Sequence, residues 1–225
     1  MEMKFKKMIW LFTLFIFPAG LHAQKEVTEF LGIPVDGSKS EMLQKVTDKG
    51  FTINPNEKDL LEGEFNGIDV FIAIVTNNNK VRRLAVVDAK PTNEANIKIR
   101  FNNLLRQFQN NKKYVPTEDS TLSKFIIPED EDISYELLVK KKAYQAVFYQ
   151  KTAAYDSLAS EQEALNEKLG KIETSDIVEL AKKRITELYK CFNKKVWVNI
   201  SKVSGGYGIT IFYDNVYNES NGESL

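Results

Sequence analysis

The sequence holds 31 carboxylates, the side chains with the widest scope for acid, base or ligand chemistry. The densest cluster is Glu129–Asp132, whose oxygens are of the kind that calcium prefers. It lacks the alternating spacing and the glycine of a calcium-binding loop, so we predict a solvated loop. Glu62 and Glu64 share one face of a predicted strand, which is ordinary for a face toward solvent. Two carboxylates on separate elements would nevertheless suffice for glycoside hydrolysis.

Histidine and cysteine offer little chemistry in this sequence. The one histidine, His22, falls inside a predicted signal peptide, so the exported chain would have no imidazole for a nucleophile or a metal site. The one cysteine, Cys191, cannot form an intramolecular disulfide, and its amphipathic setting predicts a buried thiol. We therefore predict no catalytic, cofactor-binding or metal-binding residues, and no cofactor.

Aromatic residues near the C-terminus could instead form a contact surface. Trp197, Tyr207 and Tyr213 lie in the last two predicted strands. Exposed Trp and Tyr on a sheet form rigid contacts with proteins or sugars, whereas buried ones serve the core, which is their more common role. Strand alternation leaves open which of the three are exposed. These three residues are our predicted binding surface.

Two short segments suggest covalent modification. Asp119–Thr121 and Asp156–Leu158 resemble the acceptor triplet of an O-glycosylation system in Bacteroides-type bacteria. This resemblance makes Ser120 and Ser157 candidate O-glycosylation sites.

The first 23 residues have the order of a secretory signal peptide. A lysine-rich start, Lys4–Lys7, precedes an apolar run, Met8–Phe17, and Leu21–Ala23 precede a cleavage point before Gln24. The run is shorter than the about 20 residues that span a bilayer. We expect an exported protein, periplasmic, extracellular or on the cell surface of a Gram-negative bacterium, without a transmembrane segment after cleavage.

The charge balance limits the classes of partner. Removal of residues 1–23 takes away three lysines and one glutamate, which leaves a net charge of −2. A nearly neutral chain with evenly mixed charges has no electrostatic attraction for nucleic acid. We therefore expect no nucleic-acid partner.

Hydrophobic periodicity predicts both helices and strands. A capping box of Ser38 and Glu41 opens a first helix, and an apolar stripe over 97–108 marks a second. A third helical region begins with a capping box at Ser160, breaks near Gly170 and restarts at 175 or 176. The predicted strands are 60–65, 68–76, 80–88, 134–139, 144–150, 196–203 and 207–213.

This order of elements predicts an α+β fold. We expect an antiparallel sheet of about seven strands, built from a three-strand meander and two hairpins, with three or four helices packed on one face. Residues 24–225 would form a single domain or two packed lobes, 24–115 and 116–217, with a loose polar tail, 218–225.

Three segments carry a resemblance to a known group of proteins. Phe30–Ser40, Thr76–Val81 and Phe212–Asn218 resemble segments of small, uncharacterised exported proteins of Bacteroides-type bacteria, a group that implies the compartment but no activity. The helix followed by a β-meander resembles β-lactamase-inhibitor-like domains, which bind proteins or lipids; at the level of architecture this is weak support for function.

We therefore predict a secreted or periplasmic non-catalytic binding protein whose partner is an unknown envelope protein or a glycan. The alternatives are a carboxylate-dependent hydrolase acting on glycans and a structural component of a cell-envelope assembly. A cleft with two carboxylates about 5–10 Å apart would favour the hydrolase. An aromatic sheet face would favour binding, and a large exposed apolar patch would favour assembly.

Overall fold

A computed structural model describes residues 25–166 and 174–220. The predicted signal peptide, residues 221–225 and the predicted helix break near Gly170 lie outside these ranges. Within the described residues, no helix combines the length and the hydrophobicity needed to cross a membrane.

A seven-stranded antiparallel sheet organises the fold, and a separate two-stranded ribbon precedes it. The strands are β1 (Glu29–Phe30), β2 (Ile33–Pro34), β3 (Thr52–Ile53), β4 (Leu60–Phe65), β5 (Ile68–Asn77), β6 (Lys80–Asp88), β7 (Gln145–Tyr149), β8 (Lys195–Val203) and β9 (Gly206–Asp214). The order across the large sheet is β3-β4-β5-β6-β9-β8-β7, so the pairing of β6 with β9 joins the two halves of the chain. The predicted α+β class with an antiparallel sheet is confirmed.

The meander of β4, β5 and β6 follows from its turn residues. Asn66 and Gly67 both have positive φ, 53° and 79°, and Asn78 and Asn79 have φ of 48° and 60°. Asparagine and glycine tolerate this left-handed backbone, which two-residue turns between twisted strands require. The three predicted strands therefore agree with the observed strands to within one residue.

Six α-helices accompany the sheet in the described ranges. They are α1 (Lys39–Thr47), α2 (Glu94–Asn110), α3 (Asp119–Leu122), α4 (Ile133–Leu138), α5 (Ala153–Asn166) and α6 (Thr174–Cys191). The predicted capping box of α1 is present, because Ser38 accepts from the Glu41 N–H while the Glu41 carboxylate accepts from the Ser38 N–H. Asn93 caps α2 by accepting from the Asn96 N–H.

One face of the sheet is covered by helices. The apolar stripe of α2 is fully or nearly fully buried and belongs to the same core as the inward side chains of β4 to β9. This single core extends from Phe30 to Tyr213, so both predicted lobes contribute to one hydrophobic cluster.

The predicted strand at 134–139 is wrong, because Ile133–Leu138 forms helix α4. Asp132 caps this helix by accepting from the Tyr135 N–H, and Ile133 and Leu137 pack on the core at helical spacing. The predicted hairpin of 134–139 with 144–150 therefore does not exist. β7 pairs with β8 instead, and β3 supplies the seventh strand.

Helices α5 and α6 form a hairpin between the neighbouring strands β7 and β8, and pack mainly against each other. α5 begins at Ala153, so the predicted start at Ser160 is wrong. Thr152 precedes the helix and uses its hydroxyl to accept from the Tyr155 N–H, as a capping residue does. Helices α1 to α4 each contribute residues to the core on the inner face of the sheet, whereas α5 and α6 pack mainly against each other.

Asn218, the first residue of the predicted loose tail, is held in place. Its side-chain amide donates to the Val81 carbonyl and to the Asp36 carboxylate, each at 2.8 Å. The ordered chain therefore extends past β9 through a 3-10 turn at Val216–Asn218.

Candidate functional site: the outer face of the sheet

The sheet has an inner face, which packs on the helices, and an outer face. Strand register assigns the outer face, because residues paired across antiparallel strands point to the same side. One cross-strand row runs through Leu60, Ala73, Ala85, Phe212, Trp197 and Val147. The neighbouring rows add Phe71, Val75, Val87 and Tyr149 to the same side. We call these ten residues the outer apolar face.

The outer apolar face is accessible to solvent, in contrast to the inner face. Of its ten residues only Ala85 is buried, whereas Val147 is 39% exposed and the others are partly exposed. Inner residues of the same strands, such as Ile72 and Val198, have no exposed surface. A contiguous apolar surface of this kind is typical of an interaction site.

A stack of Trp197 on Phe212 forms the centre of the outer apolar face. The two rings are directly opposite across β8 and β9, with centroids 4.0 Å apart and planes tilted by 20°. The Arg83 guanidinium lies 5.2 Å from the Trp197 centroid and 4.9 Å from the Phe212 centroid, within range of a cation–π interaction. Trp and Arg, together with Tyr, are the residues most often found as anchors of protein interfaces.

Asp214 holds this stack in one conformation. Its side chain is only 1% exposed and accepts two hydrogen bonds from Arg83, at 2.5 and 3.0 Å, and one from the Trp197 indole N–H at 2.8 Å. The Lys195 ammonium lies 3.3 Å away. Because one carboxylate binds both the arginine and the indole, these contacts hold the Trp197 side chain in one conformation.

The pKa of Asp214 is consistent with this anchoring role. Burial by itself raises the pKa of the carboxyl, but the hydrogen bonds from Arg83 and Trp197 and the charges of Arg83 and Lys195 outweigh burial and lower it. Asp214 is therefore ionised at neutral pH and acts as a structural anion. A general acid at this position would need the opposite shift.

Trp197 is the one tryptophan in residues 25–225, so its fluorescence reports on the outer apolar face alone. We expect Arg83→Ala to raise the acrylamide quenching constant of Trp197 about two-fold, because the guanidinium and its stem shield the rings. Arg82→Ala is the matched control, since Arg82 sits at the β-bulge and its carbonyl accepts from the Asn215 N–H. Equal quenching in both variants would contradict the described position of Arg83.

Of the three aromatic residues predicted as a binding surface, the structure brings only Trp197 to the outer face. Tyr207 and Tyr213 belong to the inner face and are 3% and 4% exposed. Tyr207 hydrogen-bonds Ser134, and burial raises the pKa of Tyr213 well above its ordinary value. The alternation of β9 turns both tyrosines toward the core, while the same alternation turns Phe212 outward.

The α6 helix extends the outer apolar face beyond the sheet. Phe192 at its C-terminal end packs on Tyr149 with ring centroids 4.9 Å apart. At 100° per residue, four apolar residues of this helix and Phe192, which directly follows it, lie within about 120° of one another. We call them the α6 stripe: Ile177, Val178, Ile185, Tyr189 and Phe192, which are 40–65% exposed. One apolar surface thus runs from β5 across the sheet and onto α6.

A cleft of about 770 Å³ has Tyr114 and the inner-face residue Tyr213 among its lining residues. It carries charges of both signs. The Lys151 ammonium lies 2.9 Å from the Asp156 carboxylate, and the buried Lys194 lies 3.5 Å from Glu26. Two of the three acids that line the cleft, Asp156 and Glu26, therefore lie within ion-pair distance of lysines.

Two acidic residues of the predicted loop make structural contacts. In the predicted loop Glu129–Asp132, Asp132 caps α4, and Glu131 accepts hydrogen bonds from Lys142 and Tyr144. In the described part of the chain, His, Cys, Asp and Glu residues form no group of three or more that could hold a metal ion. Glu62 and Glu64 lie on the outer side of β4, as predicted.

The remaining sequence candidates are placed as follows. Cys191 is fully buried at the base of the α5–α6 hairpin, and burial raises the pKa of its thiol, as expected for an inert side chain. Ser120 in α3 and Ser157 in α5 are both exposed. Their modification stays a prediction.

Sequence reasoning missed two residues of the site, Arg83 and Asp214. Each looks like an ordinary charged residue near a strand end. Their partnership depends on the register of β6 with β9, which brings together residues 131 positions apart. No local pattern in the sequence carries that information.

Comparison with protein-family models, with curated proteins and with solved structures found no match to this chain.

Proposed function

We propose that this protein is an exported, non-catalytic interaction protein that binds its partner through the outer apolar face and the α6 stripe. The observation that carries this proposal is the Trp197–Phe212 stack, fixed by Asp214 and Arg83 on a sheet face that the described helices leave open. A fixed aromatic centre with an arginine beside it is the composition of an interface hot spot.

The surrounding surface supports a protein partner over a sugar. The α6 stripe adds Ile, Val, Tyr and Phe side chains, and branched aliphatic groups contribute to protein contacts by burial but offer sugars no hydrogen bonds. The same continuous surface accords with a component of an envelope assembly, which we regard as one form of this function. An envelope protein is therefore our proposed partner class, and the signal-like N-terminus is the basis for proposing export.

Hydrolysis of glycans is the less favoured proposal. The carboxylate nearest the aromatic centre is Asp214, and its lowered pKa suits an ion-pair anchor. A glycosidase needs one carboxyl with a raised pKa opposite a second, ionised one. Release of reducing ends from envelope polysaccharides by the purified protein would restore the hydrolase proposal.

Site-specific photo-crosslinking in the native host tests the interaction. A photoreactive phenylalanine analogue replaces Val147, which lies next to Trp197 on the outer apolar face and is 39% exposed. The matched control places the same analogue at Val139, which follows α4 and is 62% exposed. We expect a discrete protein adduct from position 147 and none from position 139.

Other outcomes have clear meanings. Equal adducts at both positions would show nonspecific contact and contradict the proposal. Absence of protein adducts, together with retention of the purified protein on insoluble envelope glycans, would move the partner class from protein to sugar.

A further inference from the structure

We infer that the partner binds as an extended peptide segment that pairs with the free edge of β7 and lengthens the sheet by one strand. This inference rests on the proposed function and names the form of the partner, a segment of another envelope protein. Its starting point is that β7 is the last strand of the large sheet and has a strand, β8, on one side only. Main-chain hydrogen bonds to such an edge are one of the recurring ways in which proteins bind extended peptides.

The direction of the backbone groups along β7 shows what its free edge offers. Each residue of a paired strand points its N–H and C=O to one side, and successive residues alternate. The Tyr144 carbonyl accepts from the Ile200 N–H of β8 at 3.0 Å, so the even-numbered residues of β7 are turned toward β8. The N–H and C=O groups of Gln145 and Val147 therefore point to the free edge.

One end of this edge is already used for strand pairing. Residues 113–115 pass beside the end of β7, where the Val115 N–H donates to the Tyr149 carbonyl at 2.8 Å. Beyond that bridge, no other segment of the described chain pairs with the edge at Gln145 or Val147. The stretch from Gln145 to Tyr149 is about 14 Å long at about 3.4 Å per residue. It is long enough for an added strand of about five residues.

The two edges of the large sheet differ in their protection. Unpaired edge strands attract other extended chains, and proteins usually protect them by shortness, charge or proline. The opposite edge strand, β3, is two residues long. β7 has five residues, Gln-Ala-Val-Phe-Tyr, with no charge and no proline, and Val147 is 39% exposed. β7 is therefore the edge of this sheet that suits the addition of a strand.

The backbone groups of the edge select the form of the partner. Free N–H and C=O groups at alternate residues of a strand match those of a second extended chain, whereas a helix uses its backbone groups internally. An added strand lies about 4.8 Å from β7, with every second side chain on the side of Val147. Val147 is directly opposite Trp197 on the outer apolar face. We therefore expect a segment with apolar or aromatic residues at alternate positions, which continues that face by one strand.

Proline at position 147 tests the edge while it leaves the pairing with β8 in place. Proline removes the N–H that faces the free edge, and edge strands tolerate proline where that N–H faces solvent. The photoreactive phenylalanine analogue is placed at Gln145 in the native host. We expect Val147→Pro to lower the yield of the protein adduct at least about ten-fold. The matched control Val147→Ala keeps the N–H, and we expect it to lower the yield less than about two-fold.

A reciprocal pair guards against an effect of one variant on folding. The analogue at Val147 is combined with Gln145→Pro or with Gln145→Ala, and we expect the same difference between proline and alanine. Far-UV circular dichroism of the purified variants shows whether each is folded.

Amide hydrogen exchange of the unsubstituted chain tests the free edge without any variant. We expect the Gln145 and Val147 amides to exchange at least about 100-fold faster than those of Ala146 and Phe148, because only the latter two donate to β8. Equal protection of the four amides would overturn the free edge, and with it the inference.

The crosslinking results separate this inference from the proposed function. Equal adduct yields in the proline and alanine variants overturn strand addition and keep the proposed function, because the partner then binds the face without the edge. An adduct that mass spectrometry identifies as two copies of this chain overturns another envelope protein as the occupant. Absence of protein adducts from positions 145 and 147 in the otherwise unsubstituted chain contradicts both proposals.

Discussion

Replacement of Asp214 by asparagine is expected to lower the free energy of unfolding by about 3 kcal/mol, because it leaves two cations without their buried counter-ion. The Asp214 carboxylate is 1% exposed, and its partners Arg83 and Lys195 are 20% and 31% exposed. An amide retains the shape of the side chain but not its charge. Urea unfolding followed by far-UV circular dichroism measures the change, and avoids the Trp197 signal, which the substitution itself alters.

A second ion pair provides the control. Asp69 and Lys90 are 63% and 81% exposed, so solvent screens their attraction, and Asp69→Asn should leave the unfolding free energy unchanged within error. An equal loss of stability in both variants would contradict the assignment of Asp214 as a buried anchor.

The pH dependence of the Asp214 contribution has a defined sign. Its native pKa lies below the ordinary value of 3.8. A lowered native pKa stabilises the fold at pH values above the unfolded pKa, and this stability is lost as the pH falls through the native pKa. The difference in stability between wild type and Asp214→Asn should therefore be constant near neutral pH and shrink on acidification below about pH 4. A difference that grows in acid would contradict the lowered pKa.

Gly206→Ala is expected to cost about 3 kcal/mol or more, because the new methyl group collides with backbone that cannot move independently. Gly206 has φ of 153°, and a Cβ at this position would lie 2.3 Å from the Thr92 carbonyl oxygen. That oxygen accepts from the Tyr207 N–H at 2.9 Å, and the Thr92 N–H donates to the Tyr207 carbonyl. The methyl group therefore breaks the bridge that ties the start of α2 to β9.

Gly67→Ala separates this collision from ordinary backbone strain. Gly67 also has positive φ, 79°, but nothing lies within 4 Å of its added Cβ. We expect a cost of about 1 kcal/mol from conformation alone. Thermal or urea unfolding of the two variants measures the difference, and a Gly206→Ala variant no less stable than Gly67→Ala would contradict the close approach of Thr92.

Local rules account for much of the fold. The Asn66–Gly67 turn, the Ser38 capping box and the apolar stripe of α2 each depend on residues within a few positions of one another, and the structure confirms all three. The wrong strand at 134–139 has a physical reason. Its residues alternate weakly, and the cap from Asp132 together with packing of Ile133 on the core decides for a helix.

The interaction surface could be predicted only in part. Residue type alone led to the prediction of Trp197, Tyr207 and Tyr213 as a binding surface, and strand alternation left open which of the three are exposed. The burial of Tyr213 and the exposure of Phe212 depend on which side of β9 the helices cover, and that side is set by tertiary packing. The sequence predicts a helical region that restarts at 175 or 176, but it does not say which side of that helix the described helices leave exposed.

The central position of the β6–β9 pairing determines when the fold can form. Strand β6 is synthesised early, but its neighbour β9 ends only at Asp214. A chain that is synthesised from its N-terminus therefore exposes the unpaired apolar strand β6 until β9 has also been synthesised. Closing a contact over such a separation is slow compared with forming the β4–β6 meander. A chain that ends before β9 would leave this edge of β6 unpaired, and an unpaired apolar edge is prone to aggregation.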